Sequence, residues 1–144
     1  MTTPSSSPFS RRVVLGAVAA GAVVPATACG SGSSEDSGAA ATRGANGEVR
    51  FPAGDVPVGG GRISATERVV VTQPAEGEFK AFSAICPHER CVVSAVTDGT
   101  IVCACHQSTF DAATGERTGG PAPRGLDPLP VSEDGTDLVV RSSS

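Results

Sequence analysis

Cys86-Pro87-His88-Glu89-Arg90-Cys91 and Cys103-Ala104-Cys105-His106-Gln107-Ser108 are the two runs that decide this chain. Both of its histidines and four of its five cysteines stand between residues 86 and 108. The pattern C-x-H followed by C-x-x-H offers two thiolates and two imidazoles from two short segments. Such a donor set suits zinc in a closed tetrahedral site, or a 2Fe–2S cluster in which one iron takes histidines. Zinc sites with these ligands usually draw two cysteines from one knuckle and two histidines from a helix. Here each run supplies one of each kind, which favours a two-iron cluster held between two loops, with thiolates on one iron and imidazoles on the other. Two structural disulfides with incidental histidines are the remaining reading.

The same residues resemble the Rieske 2Fe–2S proteins, specifically the disulfide-containing branch of cytochrome bc complexes and some extracytoplasmic oxidases. The two boxes of that branch read C-x-H-x-x-C and C-x-C-H-x-S, and each fixed position is met. Gly120-Pro121-Ala122-Pro123 matches the proline loop that covers the cluster there, and the resemblance spans roughly residues 47–142. It implies Cys86, His88, Cys103 and His106 as metal ligands and a Cys91–Cys105 disulfide tying loop to loop. It further implies that the Ser108 hydroxyl donates to a bridging sulfide. Gly120, Pro121 and Pro123 would form a wall that keeps water from the cluster, Pro being a stiff residue without an amide proton.

Charge explains what such a cluster is for. Two ferric ions, two sulfides, two thiolates and two neutral imidazoles sum to zero, so one added electron meets less repulsion than in an all-cysteine cluster. Histidine ligation therefore raises the potential, into a span of roughly −150 to +300 mV. The resemblance implies that electron uptake brings a proton to His88 or His106. Three positions depart from the family. Glu89 stands where an apolar residue is common, and a carboxylate there disfavours the extra electron, with Arg90 offsetting part of it. Phe110 replaces a tyrosine whose hydroxyl bonds a ligand sulfur in high-potential members, a loss of about 1 kcal/mol or about 40–50 mV. Gln107 replaces a common glycine. The expected potential lies in the middle or lower part of the range.

Upstream, Ser10-Arg11-Arg12-Val13-Val14-Leu15 leads into a short apolar core ending near Pro25. Residues 1–28 thus read as a twin-arginine export signal, and the apolar run Val13–Val24 is short for a bilayer span. Cys29, the fifth cysteine, follows Ala26-Thr27-Ala28 and reads as a candidate lipidation site, although Ala26 replaces the more usual Leu. Residues 29–46 are rich in Gly, Ser and Ala and read as a flexible tether with a reach of about 20–25 Å. The twin-arginine route carries folded proteins, so a cluster can be inserted before export, and a disulfide persists in an oxidising compartment.

Residues 47–144 form one small domain. Short β-rich runs at 68–72, 79–85, 91–96, 100–103 and 137–141 are punctuated by Gly, Pro and the hairpin pairs Asp98-Gly99 and Asp134-Gly135. No stretch carries a helical period of 3.6. An all-β fold follows, which the resemblance sharpens to stacked small antiparallel sheets with the cluster at a tip of two loops. Losing Arg11 and Arg12 takes the formal charge from −4 to −6. That excludes the basic face a nucleic-acid partner needs and makes a membrane anchor covalent rather than electrostatic.

The expected function is an exported, membrane-tethered carrier of single electrons on the extracytoplasmic face of a bacterial cell membrane. Its partner would be a redox protein: a cytochrome, a quinol-oxidising complex or an oxidase subunit. The alternative is the Rieske subunit of a multisubunit oxidoreductase, of the quinol–cytochrome c reductase type or an extracytoplasmic oxidase. A ferredoxin serving an oxygenase is disfavoured by Cys91, Cys105 and the export signal. No acid–base pair or nucleophile triad marks an independent catalyst.

Overall fold

A computed structural model describes residues 40–141. The expected twin-arginine signal, Cys29 and the first part of the expected tether lie outside the described residues. Thr42–Arg43 (β1), within the stretch read as tether, pairs antiparallel with Glu48–Pro52 (β2). Two more strands complete this first sheet, Val131–Asp134 (β11) and Asp137–Arg141 (β12), in the order β1-β2-β12-β11. The second sheet runs Pro128–Leu129 (β10), Glu78–Ser83 (β5), Val69–Ala75 (β4) and Gly61–Ser64 (β3). The third runs Ala95–Thr97 (β6), Thr100–Cys103 (β7), Ser108–Asp111 (β8) and Arg117–Gly119 (β9). One turn of 3-10 helix at Ala53–Asp55 is the sole helical element among the described residues. The all-β expectation of stacked small antiparallel sheets is met.

The second sheet sits between two cores. Successive strand residues face opposite sides, and along β4 Val69 and Val71 join one apolar cluster while Val70 joins the other. Along β5, Ala81 and Phe82 divide in the same way. Both faces are covered, so Val69-Val70-Val71 is a continuous apolar run rather than an alternating one. One core holds Val49, Phe51, Val56, Leu138 and Val140; the other holds Ile101, Phe110, Leu126 and the two sulfurs of Cys86 and Cys103. Thr72 Oγ1 donates to the Ala112 carbonyl at 2.6 Å, stitching the middle sheet to the third.

Local turn chemistry works as read at Asp98-Gly99, where both residues take positive φ (49° and 72°) and Thr97 pairs with Thr100. That is the primed hairpin whose twist matches the strands it joins. The expected strand over 91–96 shrinks to Ala95–Thr97 and a single bridge of Val92 to Ile85. Val93 N–H donates to Ala84 O, whereas Ser94 N–H donates to Val102 O. Neighbouring residues thus pair with different sheets, and neither ladder can extend.

Candidate metal centre

Two six-residue ligand segments, 86–91 and 103–108, meet at one tip. The Ile85–Val92 bridge flanks the first, enclosing six residues, and the Cys103–Ser108 pair forms the ends of the second, enclosing four. Within the first, Cys86 N–H donates to Cys91 O at 2.8 Å and Arg90 N–H returns to Cys86 O at 3.0 Å. The fifth residue of each segment, Arg90 and Gln107, turns the chain with φ of +59°. Non-glycine residues adopt that region seldom, so both loops hold a tight left-handed corner at the same place.

The four expected ligands fall into two pairs, Cys86 beside Cys103 and His88 beside His106. Cys86 and Cys103 are each 1 % exposed, whereas His88 is half-buried and His106 exposed. The Nδ1 atoms of His88 and His106 converge to 3.3 Å, with the rings edge to face at 81° and centroids 4.7 Å apart. Sulfur donors thus lie inward and nitrogen donors outward. Burial pushes the Cys103 thiol above its ordinary range, the backbone N–H of Cys105 works against this, and Cys86 adds to the rise. A thiol raised in this way, as Cys103 is, is held as a thiolate when a cation compensates it. The backbone N–H groups of Cys105 and His106 aimed at the Cys103 sulfur are donors suited to a charged sulfur. The residues present therefore fit a two-metal group with unlike ends.

Around these donors, Cys91 and Cys105 form the expected disulfide, with Cα atoms 6.6 Å apart. A carboxylate oxygen of Glu89 and a ring nitrogen of each histidine lie within 4.8 Å of one another, so Glu89 stands at the imidazole end. Phe110 is fully buried in the same core as Cys86 and Cys103. Ser108 is also fully buried, and its Oγ accepts a bond from Ala122 N–H at 3.2 Å. That contact occupies a lone pair and leaves the hydroxyl proton as a donor, which the sequence could not disclose because the partner is a backbone amide. Asp111 ends β8 by accepting from Ala113 N–H, Thr114 N–H and Thr114 Oγ1, and bonds from the Thr114 and Ala113 amides hold its carboxyl below the usual range.

The Gly120–Pro123 loop lies on the second hairpin end. A Cβ on Gly120 would overlap Ser108 Cα and stand 2.6 Å from the Gln107 carbonyl oxygen, and φ there is +78°. Ala122 is buried, while Pro121 and Pro123 are exposed. Gly120→Ala is expected to destabilise the domain by at least about 1–3 kcal/mol, from strain and displacement together, and thermal unfolding measures it.

Comparison with known proteins agrees with this geometry. The sequence pattern of the Rieske 2Fe-2S domain matches residues 48–130. A protein of Haloferax mediterranei, named as a candidate Rieske subunit of a respiratory nitrate reductase, is 41% identical over 72 residues, covering 49% of this chain and 33% of that protein. The cytochrome bc1 complex Rieske iron-sulfur subunit of Corynebacterium efficiens is 40% identical over 86 residues, covering 55% of this chain and 21% of its own length. The chain thus spans a third or less of these curated relatives. Among solved structures, the ferredoxin of carbazole 1,9a-dioxygenase from Nocardioides aromaticivorans shares the fold with a TM-score of 0.54 at 20% identity, covering 73% of this chain and all of that one. With more than half of its length matched to the domain, this chain belongs to the Rieske 2Fe-2S family, whose cofactor is a Rieske-type 2Fe–2S cluster.

Proposed function

We propose that the chain is an exported, membrane-tethered carrier of single electrons, with Cys86 and Cys103 holding the inner iron and His88 and His106 the outer one. When bound, the cluster supplies one-electron redox chemistry at a potential raised by its imidazole ligands. The observation that carries the reading is the ordering of donors, two buried sulfurs behind two convergent outer nitrogens. The remaining residues serve that arrangement. Cys91 and Cys105 clamp the loops, Ser108 offers a hydroxyl proton inward, and the 120–123 loop excludes water. Glu89 adds negative charge at the histidine end, which disfavours electron uptake and places the potential in the middle or lower part of the Rieske range.

His88 and His106 also form the exposed end of the site, where a partner can approach within electron-transfer reach. Export through residues 1–28 and anchoring at Cys29 would put that end outside the cell membrane. The similarity to a cytochrome bc1 Rieske subunit and to a nitrate reductase Rieske subunit supports a second reading, in which the chain works as the Rieske subunit of a multisubunit oxidoreductase.

The test is a potentiometric titration of the purified protein followed by EPR, run near neutral pH and again in alkaline buffer. The expected result is a histidine-ligated 2Fe–2S signal whose midpoint falls as pH rises, because reduction takes up a proton at the imidazole end. Zinc or no metal in place of a reducible signal would sink the proposal. A pH-independent midpoint would remove its proton-coupled part.

A further inference from the structure

We infer that Arg117 is a positioning residue, whose guanidinium pins the 120–123 loop down over Ser108 and the second ligand hairpin; this rests on the functional reading above. Arg117 Nη1 donates to the Gly120 carbonyl at 2.7 Å. That carbonyl belongs to Gly120, where an added Cβ would come within 2.8 Å of atoms of Gln107 and Ser108, the two residues after His106. The opposite side of the loop is held by Ala122 N–H on Ser108 Oγ. Pro121 and Pro123 have no amide proton to give, so the loop has few other ways to fasten itself. One pin lies outside and one inside, and they grip adjacent peptide units of the same short wall.

The strand geometry aims the arginine. Thr109 pairs with Gly119, but Phe110 pairs with Arg117, leaving Thr118 as the extra residue of a bulge. A bulge bends its strand and redirects the neighbouring side chain. Here it brings Arg117 round to the carbonyl three residues ahead, while Thr118 Oγ1 bonds Thr109 Oγ1 at 3.0 Å and holds the bulge against β8. Other arginines nearby are engaged differently: Arg124 pairs with Asp127, two carboxylate oxygens against two guanidinium nitrogens. Arg117 is the arginine fastened to the loop itself.

Because residues 121 and 123 are prolines, Ala122 carries the single exchangeable amide between Gly120 and Arg124, and it reports whether the wall is shut. The experiment compares holoprotein with Arg117→Met, which keeps an apolar stem without donors, and Arg117→Lys, which keeps a charged donor. Hydrogen exchange at Ala122 is read by mass spectrometry, iron release to a chelator by absorbance, and the EPR line shape alongside. Arg117→Met is expected to raise both rates roughly threefold to tenfold, the range for losing one hydrogen bond, with β12 exchanging as in the parent. Arg117→Lys is expected to restore most of the protection and the parental EPR line shape. Unchanged Ala122 exchange in Arg117→Met overturns the inference, as does acceleration spread evenly over β12, or a Lys variant no better than Met. A parent protein lacking the 2Fe–2S signal would instead defeat the functional reading, a result separate from the exchange difference.

Discussion

Cys103→Ser is expected to abolish the 2Fe–2S EPR signal and to leave less than one cluster in ten chains after purification. Cys103 closes β7, is 1 % exposed, and takes the backbone N–H groups of Cys105 and His106 on its sulfur. A serine oxygen there is a hard donor with a far higher pKa than a thiol, whereas iron–sulfur clusters select soft thiolates. The shorter C–O bond also draws the donor away from where Cys86 can share a metal. Because such a site is assembled only in the folded chain, metal-binding free energy is folding free energy. The variant should therefore also unfold at a much lower temperature, despite a substitution that is nearly isosteric. Iron and sulfide analysis with EPR measures the first effect and calorimetry the second. A parental signal in Cys103→Ser would remove Cys103 from the ligand set.

Cys91→Ser, by contrast, should give a protein that still assembles its cluster and loses it quickly. The Cys91–Cys105 bond closes a loop with a sequence separation of 14, for which chain entropy gives about 3 kcal/mol. Since both cysteines lie inside the ligand segments, the loss falls on the tip rather than being spread over the sheets. For a domain of this size each 1 kcal/mol shifts the unfolding midpoint by about 4–8 °C, so a drop of about 12–24 °C is expected. If local opening limits iron loss, release to a chelator accelerates by up to roughly a hundredfold, at tenfold per 1.4 kcal/mol. Both follow from a thermal scan and a bleaching time course on oxidised protein. A variant as long-lived as the parent would show that the covalent tie contributes nothing to holding the loops.

The candidate ligand set could be named from the sequence because metal chemistry lives in residue types, and those types occur almost nowhere else in the chain. Phe110 and Glu89 could likewise be placed near the centre, one behind the sulfurs and one beside the imidazoles. The 91–96 stretch misled because Cys91-Val92-Val93 has the composition of a strand. Its backbone instead divides between Ala84 and Val102, a choice made by the positions of two sheets. Strands β1–β3 and β8–β11 escaped notice because they are short and mix polar residues, Gly or Pro with few apolar ones, and β2 and β10 in addition pair with distant segments. The Ala122 amide and the Arg117 side chain left no trace in composition, one being backbone and the other an ordinary exposed arginine.

By itself the sequence determined the candidate donor atoms, the β character and the Asp98-Gly99 hairpin, since each depends on side-chain chemistry or on backbone preferences within a few residues. Tertiary structure alone decided that Val69-Val70-Val71 serves two cores, that sulfurs go inward and nitrogens outward, and that Ser108 has its proton free. Those outcomes depend on which groups arrive from far along the chain: Ala112 above Thr72, Ala122 against Ser108, Gly120 upon Gln107. A contact between residues separated by several strands is fixed by packing and by hydrogen-bond demand in the closed fold, and neither quantity exists until the sheets have met.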